Sequence, residues 1–252
     1  MVELWHLPLL FLTGLAAGFV DSIAGGGGLI TLPVLLGLGF DPKLALGTNK
    51  LQAVFGSGSA AWHYSRAGKV DWGECKLGFA LTFIGSAFGS VLVRQLDPAL
   101  LGRVLPILLL TVAVYMLLRP TLGDTDAQSR ISRRTFDVGF GLLIGFYDGF
   151  FGPGTGTFWT MAFVLALGFN LTRATAHTKV VNFASNLASL GVFAIAGEVL
   201  ILAGLTMGAG QLLGARLGSH MVVKRGTRFI RPVFITVALA ITAKVLYDAW
   251  WK

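Results

Sequence analysis

The sequence predicts an all-α integral membrane protein built from two inverted repeats, each a short broken-helix pair followed by three transmembrane helices. Three observations carry that prediction. Of the 252 residues, 54% are hydrophobic and only 13% are charged, a balance found in polytopic membrane proteins and not in soluble domains. A glycine run, Gly25-Gly26-Gly27-Gly28, interrupts an early apolar stretch, and a second glycine-rich interruption, Gly152-Pro153-Gly154-Thr155-Gly156, lies near the middle. The basic residues gather in short loops between apolar runs, which is how orientation in a bilayer is encoded.

The two interruptions are related. Gly18-Phe19-Val20-Asp21 matches Gly145-Phe146-Tyr147-Asp148, 127 residues further on, which sets Gly25 on Gly152 and Gly27 on Gly154. Each glycine in a helix costs roughly 1 kcal/mol relative to alanine, so four in succession end it. Non-helical backbone at membrane depth is tolerated only where protein buries it or it lines a cavity. Two matched breaks therefore predict one central site.

Taken in order, apolar segments fall at about 4–24, 28–40, 44–63, 77–93 and 99–118. A polar linker follows at about 119–137, and then segments at about 138–151, 155–169, 174–196, 199–218 and 229–248. The first segment lacks the positive leader of a cleaved signal and is expected to stay in the protein. Segments beside the breaks are shorter than the roughly 20 residues of a full span, so each pair is either two tilted short spans or a hairpin that enters and returns. Both choices cross an even number of times. With three further helices each repeat crosses an odd number of times, so consecutive repeats face opposite ways.

Loop charges agree with that count. Arg66, Lys69 and Lys76, then Arg119, Arg130, Arg133 and Arg134, then Lys224, Arg225, Arg228 and Arg231 all fall on one side only if the 138–169 pair crosses evenly. The positive-inside rule makes that side cytoplasmic, with both termini on the other; the Arg94–Arg103 loop fits least well. Trp5, Trp62, Tyr64, Trp72, Tyr247, Trp250 and Trp251 stand near segment ends, as interfacial aromatic belts do. The linker is too short to be a domain, so residues 1–252 are expected to form a single membrane domain. Repeat 1 covers about 4–118 and repeat 2 about 138–248. Four-residue glycine spacings at Gly85/Gly89, Gly141/Gly145/Gly149 and Gly210/Gly214/Gly218 suit close helix packing, within one subunit or between two in a homodimer.

The expected partners are the lipid bilayer and a small anionic substrate. A formal charge of +8 spread over membrane loops does not predict nucleic-acid binding. The single cysteine, Cys75, excludes an intramolecular disulfide and a multi-cysteine metal site. No histidine–carboxylate set has metal spacing and no serine–histidine–acid constellation stands out, so neither an enzyme nor a cofactor is predicted.

The candidate site begins with Gly25, Gly26, Gly27, Gly28, Gly152, Gly154 and Thr155. Successive backbone N–H groups in such bends form an anion-binding concavity, and a helix starting there directs its positive end at the same place. The alternative is that these glycines only allow close helix packing. No Gly-Lys-Ser/Thr follows either run, which argues against a nucleotide loop. Thr48-Asn49-Lys50 corresponds to His177-Thr178-Lys179, 129 residues on. A lysine inside an apolar helix is costly and normally turned toward protein or water; alternatively Lys50 and Lys179 snorkel to the interface. Lys179, Asn182, Asn186 and Ser189 share one helical face, and Asn49 and Gln52 accompany Lys50. Asp21 and Asp148 each precede a break by four residues. They could exchange protons, counter the lysines, or accept backbone N–H groups freed by the break. His177 could titrate or serve as a structural hydrogen-bonding group.

At these motifs the chain resembles the TauE/SafE sulfite exporter family, in its YfcA-like branch. The resemblance rests on Gly18 to Pro33, Thr48 to Gln52, Gly145 to Gly154, Ala174 to Lys179 and Gly210 to Gly218, and it covers nearly the whole chain. It implies a bacterial inner-membrane transporter of small sulfur-containing anions, typically outward. The expected mechanism is alternating access at a midplane site formed by the two glycine loops, with Lys50 and Lys179 supplying positive potential along the path. Its rivals are a passive anion channel and, less favoured, a membrane-embedded enzyme.

Overall fold

A computed structural model describes residues 3–97 and 125–226, together with Leu100 and Phe229. The described residues form helices α1 (His6–Ala24), α2 (Gly27–Gly37), α3 (Pro42–Arg66), α4 (Trp72–Arg94), α5 (Arg133–Phe150), α6 (Thr155–Leu167), α7 (Leu171–Ile195) and α8 (Ile201–Arg225). Three of them, α1, α4 and α7, are long and apolar enough to cross a membrane. The predicted segments at 99–118 and 229–248 lie outside the described residues, apart from Leu100 and Phe229.

Side-chain caps decide several boundaries. Asp41 accepts the Lys43 and Leu44 N–H groups at the start of α3, with Pro42 in the first turn. Asp71 does the same for Gly73 and Glu74 at α4, and Asn170 accepts the Arg173 N–H at α7. Such a cap satisfies donors that the first turn leaves without partners. Ser132 caps α5 through the Thr135 N–H, which corrects the predicted linker: residues 133–137 are helical, and α5 is longer than the expected 138–151 segment. At α2 the shift runs the other way, because Gly39 at φ +78° ends the chain's helical course before residue 40.

Contacts sort the helix termini into two groups. In one, the His6 ring meets Phe40 at 6.3 Å. Nearby, Lys43 Nζ donates to the Arg94 carbonyl at 2.8 Å, and Arg94 pairs with Glu198 at 2.6 Å. In the other, Glu74 meets Arg133 at 3.6 Å and Arg173 at 3.2 Å, while the Asn170 N–H donates to Asp126 at 2.7 Å. The start of α1 thus lies with the end of α2, and the start of α5 with the end of α6. Each broken pair therefore ends in the group of termini from which it starts. Arg94, the awkward basic residue of the loop-charge pattern, is neutralised by Glu198.

The first helix of each half packs along the last described helix of the other: α1 on α8, and α5 on α4. Glycines make those contacts close. A Cβ added at Gly14 would sit 2.1 Å from the Met207 carbonyl oxygen, at Gly214 2.0 Å from that of Leu15, at Gly89 2.1 Å from that of Phe146, and at Gly149 1.9 Å from that of Ser86. The four-residue glycine faces are therefore used within the subunit. Small residues drive such packing where lipid offers no hydrophobic incentive for helices to associate.

This packing yields a contrast between two positions in α5. Gly149→Ala forces α4 and α5 apart and should lower the unfolding temperature in detergent by several degrees, overpacking costing about 1–3 kcal/mol. Gly139→Ala meets nothing within 4 Å and should leave the temperature unchanged or raise it slightly, because alanine is the better helix former. Differential scanning fluorimetry on the two variants checks the pair.

Candidate functional site

The site is built where the two helix breaks meet. Gly25 and Gly26 turn with φ +76° and +103°, and Gly152 and Gly154 with +89° and +79°. Side chains rarely adopt that backbone region. The bends also touch: a Cβ on Gly25 would lie 2.6 Å from the Gly156 carbonyl carbon, and one on Gly156 would lie 2.8 Å from the Gly25 Cα. Thr157 Oγ1 donates to the Ala24 carbonyl at 3.3 Å across the same contact. Glycine is thus required twice over, for conformation and for approach.

The structure changes the register between the two breaks. Thr31 Oγ1 donates to the Gly27 carbonyl at 3.1 Å and Thr160 Oγ1 to the Gly156 carbonyl at 2.8 Å, so Gly27 corresponds to Gly156 and not to Gly154. The second connection is two residues longer than the first. Those residues accommodate Pro153, whose carbonyl accepts the Tyr147 hydroxyl at 2.9 Å.

Some amides of the bends are used internally. The Gly25 N–H donates to the Asp21 carbonyl, Gly152 to Tyr147 and Thr155 to Gly152, and the Gly27 N–H donates to Asp21 Oδ1 at 3.1 Å. The N–H groups of Gly26, Gly28, Gly154 and Gly156 have no partner among the described residues. All four glycines line one cavity of ≈ 30 Å³, together with Asp21, Gly27, Asn49, Lys50, Gln52, Asp148, Gly152, Thr155, Asn182 and Asn186. A buried donor without a partner is costly, and successive backbone donors of this kind are able to form an acceptor-binding concavity.

The charges are crossed between the halves. Lys50 Nζ of α3 pairs with Asp148 Oδ1 of α5 at 2.7 Å and also donates to the Asp148 backbone carbonyl; Asp148 Oδ2 accepts the Ser185 hydroxyl. Lys179 Nζ of α7 pairs with Asp21 Oδ2 of α1 at 3.0 Å. Both lysines are buried, at 1% and 0% side-chain exposure, which rules out snorkelling. Of the roles open to the aspartates, both counter a lysine, and Asp21 additionally accepts a freed amide. In this arrangement the positive charge expected of Lys50 and Lys179 is balanced by the two aspartates.

Amide side chains fill the rest of the wall. Asn49 Oδ1 accepts from Thr31 at 2.5 Å and from Gln52 Nε2 at 2.8 Å, and Asn186 Nδ2 donates to Ser57 at 3.4 Å. Gln52, Asn182 and Gln211 each keep a buried oxygen without a partner. An amide can present either its oxygen or its NH2 group, so Asn182 and Gln211 can offer either kind of atom to a ligand, while the Gln52 NH2 is held by Asn49. Among the expected site residues, Gly25, Thr178, Lys179 and His177 do not line the cavity. Gly25 forms the contact between bends, Thr178 bonds Thr160 behind it at 3.1 Å, and Lys179 acts through Asp21. His177 rests on Phe169 at 5.0 Å, its Nδ1 on the Arg173 carbonyl. The sequence reading did not single out Gly156, Gln211 or Ser185. A buried glutamine flanked by the glycines of α8 was a readable signal for Gln211; one serine among the small residues of α7 was none for Ser185. Among the described residues no group of three histidine, cysteine or acidic side chains is placed to hold a metal.

Broken helices in corresponding positions, opening a polar cavity inside an apolar helical body, are the construction of secondary transporters. The sulfite exporter TauE/SafE family matches residues 10–245. The chain is 46% identical over 245 residues to a protein of Haemophilus influenzae described as a probable membrane transporter protein, covering 97% of this chain and 96% of that one. It is 45% identical over 249 residues to the probable membrane transporter protein YfcA of Escherichia coli, covering 99% and 93%. It is 23% identical over 265 residues to the probable membrane transporter protein YunE of Bacillus subtilis, covering 95% and 97%. No solved structure matches the chain significantly. The chain belongs to the TauE/SafE family of membrane transporters.

The buried Lys50–Asp148 pair makes a double-mutant cycle decisive. Lys50→Met alone strands a carboxylate and should cost about 3–5 kcal/mol, whereas Lys50→Met with Asp148→Asn removes both charges and should recover most of that loss. Unfolding temperatures of the two single variants and the double variant measure the coupling.

Proposed function

We propose that the protein is a multi-pass inner-membrane transporter that moves small oxyanions such as sulfite or organosulfur anions outward, by alternating access at the cavity between the two bends. The observation that carries this reading is the set of four unpartnered glycine N–H groups around one buried space. Such donors can replace the hydration of a small anion without a metal. Asn49, Gln52, Asn182 and Asn186 add side-chain donors, and Thr155 stands at the start of α6, whose positive end adds to the same field. Inverted orientation of the two halves belongs to the same proposal. The crossed packing of α1 on α8 and α5 on α4 supports it, as does the sorting of helix ends into two groups. The basic loops then place the linker in the cytoplasm.

A passive anion channel is the reading to separate, because it would use the same donors. Proteoliposomes loaded with labelled sulfite test both. Wild type should carry sulfite against its own concentration gradient when another gradient is imposed, which a channel for sulfite alone cannot do. Gly28→Leu should abolish flux, because a Cβ at Gly28 has its nearest neighbours, Asn49 and Pro153, at an ordinary 3.6 Å and the larger side chain fills the cavity while the bend keeps its conformation. Its unfolding temperature should stay within a few degrees of wild type. Flux equal to wild type in this variant would remove the site assignment.

A further inference from the structure

Charge balance at the cavity has a consequence for coupling. Lys50, Asp21 and Asp148 line it and Lys179 stands behind Asp21, each lysine held by a carboxylate at 2.7 or 3.0 Å. An anion entering this neutral, enclosed space adds an uncompensated negative charge at low dielectric, which is strongly disfavoured. It can be accommodated only if a lysine is released to it, and a lysine is released only when its aspartate loses its charge.

The two pairs are not equivalent. Asp148 is 5% exposed and is held on both oxygens, by Lys50 and by the Ser185 hydroxyl, with Lys50 anchored a second time on the Asp148 backbone carbonyl. Asp21 is 20% exposed; its Oδ1 accepts only the Gly27 backbone N–H at 3.1 Å, and its Oδ2 is held by Lys179 at 3.0 Å, with no second side chain on either oxygen among the described residues. The other titratable groups around Asp21 are few. Lys179 comes from α7, Lys50 and Tyr64 from α3, and Asp148 from α5, while α2, α6 and α8 contribute no titratable side chain to the cavity wall. The Tyr64 hydroxyl is already committed to the Ser22 carbonyl at 2.8 Å.

We propose that Asp21 is the proton carrier of this transporter and that the Lys50–Asp148 pair is a permanent tie between the halves. This inference rests on the oxyanion-transport reading above and names its coupling ion. A proton binds Asp21 Oδ2, Lys179 Nζ is freed, and the anion takes the place of the carboxylate against Lys179 and the glycine amides. On the other side of the membrane the anion leaves, the proton leaves Asp21, and the ion pair re-forms. The cavity that crosses loaded contains a protonated Asp21, Lys179 and one anionic charge; the cavity that returns empty contains the intact pair. Anion and proton therefore travel the same way, and net export proceeds when the outward anion gradient exceeds the opposing proton gradient.

The test compares proton-to-sulfite ratios, from null-point flux measurements in proteoliposomes, for wild type and Asp21→Asn at one pH. Comparing the two cancels any proton that sulfite itself carries. Asp21→Asn should move one proton fewer per sulfite, and its flux should lose the acid-side pH dependence of wild type. Asp21→Glu, which restores a carboxyl group one methylene longer, should keep the wild-type ratio with a shifted pH midpoint. An unchanged ratio in Asp21→Asn overturns the proposal, as does a pH profile of Asp21→Glu that superimposes on wild type, or loss of flux in both variants. Absence of sulfite flux in wild type would instead remove the transport reading itself, so the two failures are distinguishable.

Discussion

The structure depends on two ion pairs that cross between its halves. Lys50 reaches Asp148 and Lys179 reaches Asp21, each lysine lying on the second helix after one break and each aspartate on the helix that precedes the other. Neither charge could be buried singly, because removing an ion from water costs several kcal/mol unless a partner and hydrogen bonds compensate. The halves are therefore interdependent. Each break brings its aspartate within reach only when the other break is in place, so one compact polar centre forms and not two.

Glycine makes that centre geometrically possible. Gly25 and Gly156 pass with their backbones in contact, and the left-handed turns at Gly26 and Gly154 start two short helices from the same region. The long contacts that brace the centre, α1 on α8 and α4 on α5, are glycine contacts as well. Close approach at these seams fixes the depth at which the bends meet. The aromatic cluster of Phe136, Trp159, Phe163 and Phe169 holds α6 against α5 and encloses His177, which gives that histidine a packing role.

Crossed pairing also shapes how such a protein can move. In the coupling proposed above, Lys50–Asp148 is the firm connection and Lys179–Asp21 the one that opens beside the cavity. Bistable contacts of this kind allow small local changes to bias a larger rearrangement, and charge neutrality in both arrangements keeps either from being prohibitively costly at low dielectric.

The sequence by itself determined the membrane character, the two matched breaks and the identity of most cavity residues. Composition, glycine propensity and loop charge are local properties that act wherever the chain goes. Its reading went astray at one helix cap and at one difference in loop length. It extended the linker into α5 because the Ser132 cap makes a helix of the charged residues 133–137, and it paired Gly27 with Gly154 because the extra residues around Pro153 are invisible to an ungapped offset. Only the tertiary structure decided which aspartate each lysine meets, that Gln211 and Gly156 join the wall, and that His177 and Thr178 do not. Those are matters of approach between helices far apart in the chain, settled by packing and by the need to neutralise buried charge.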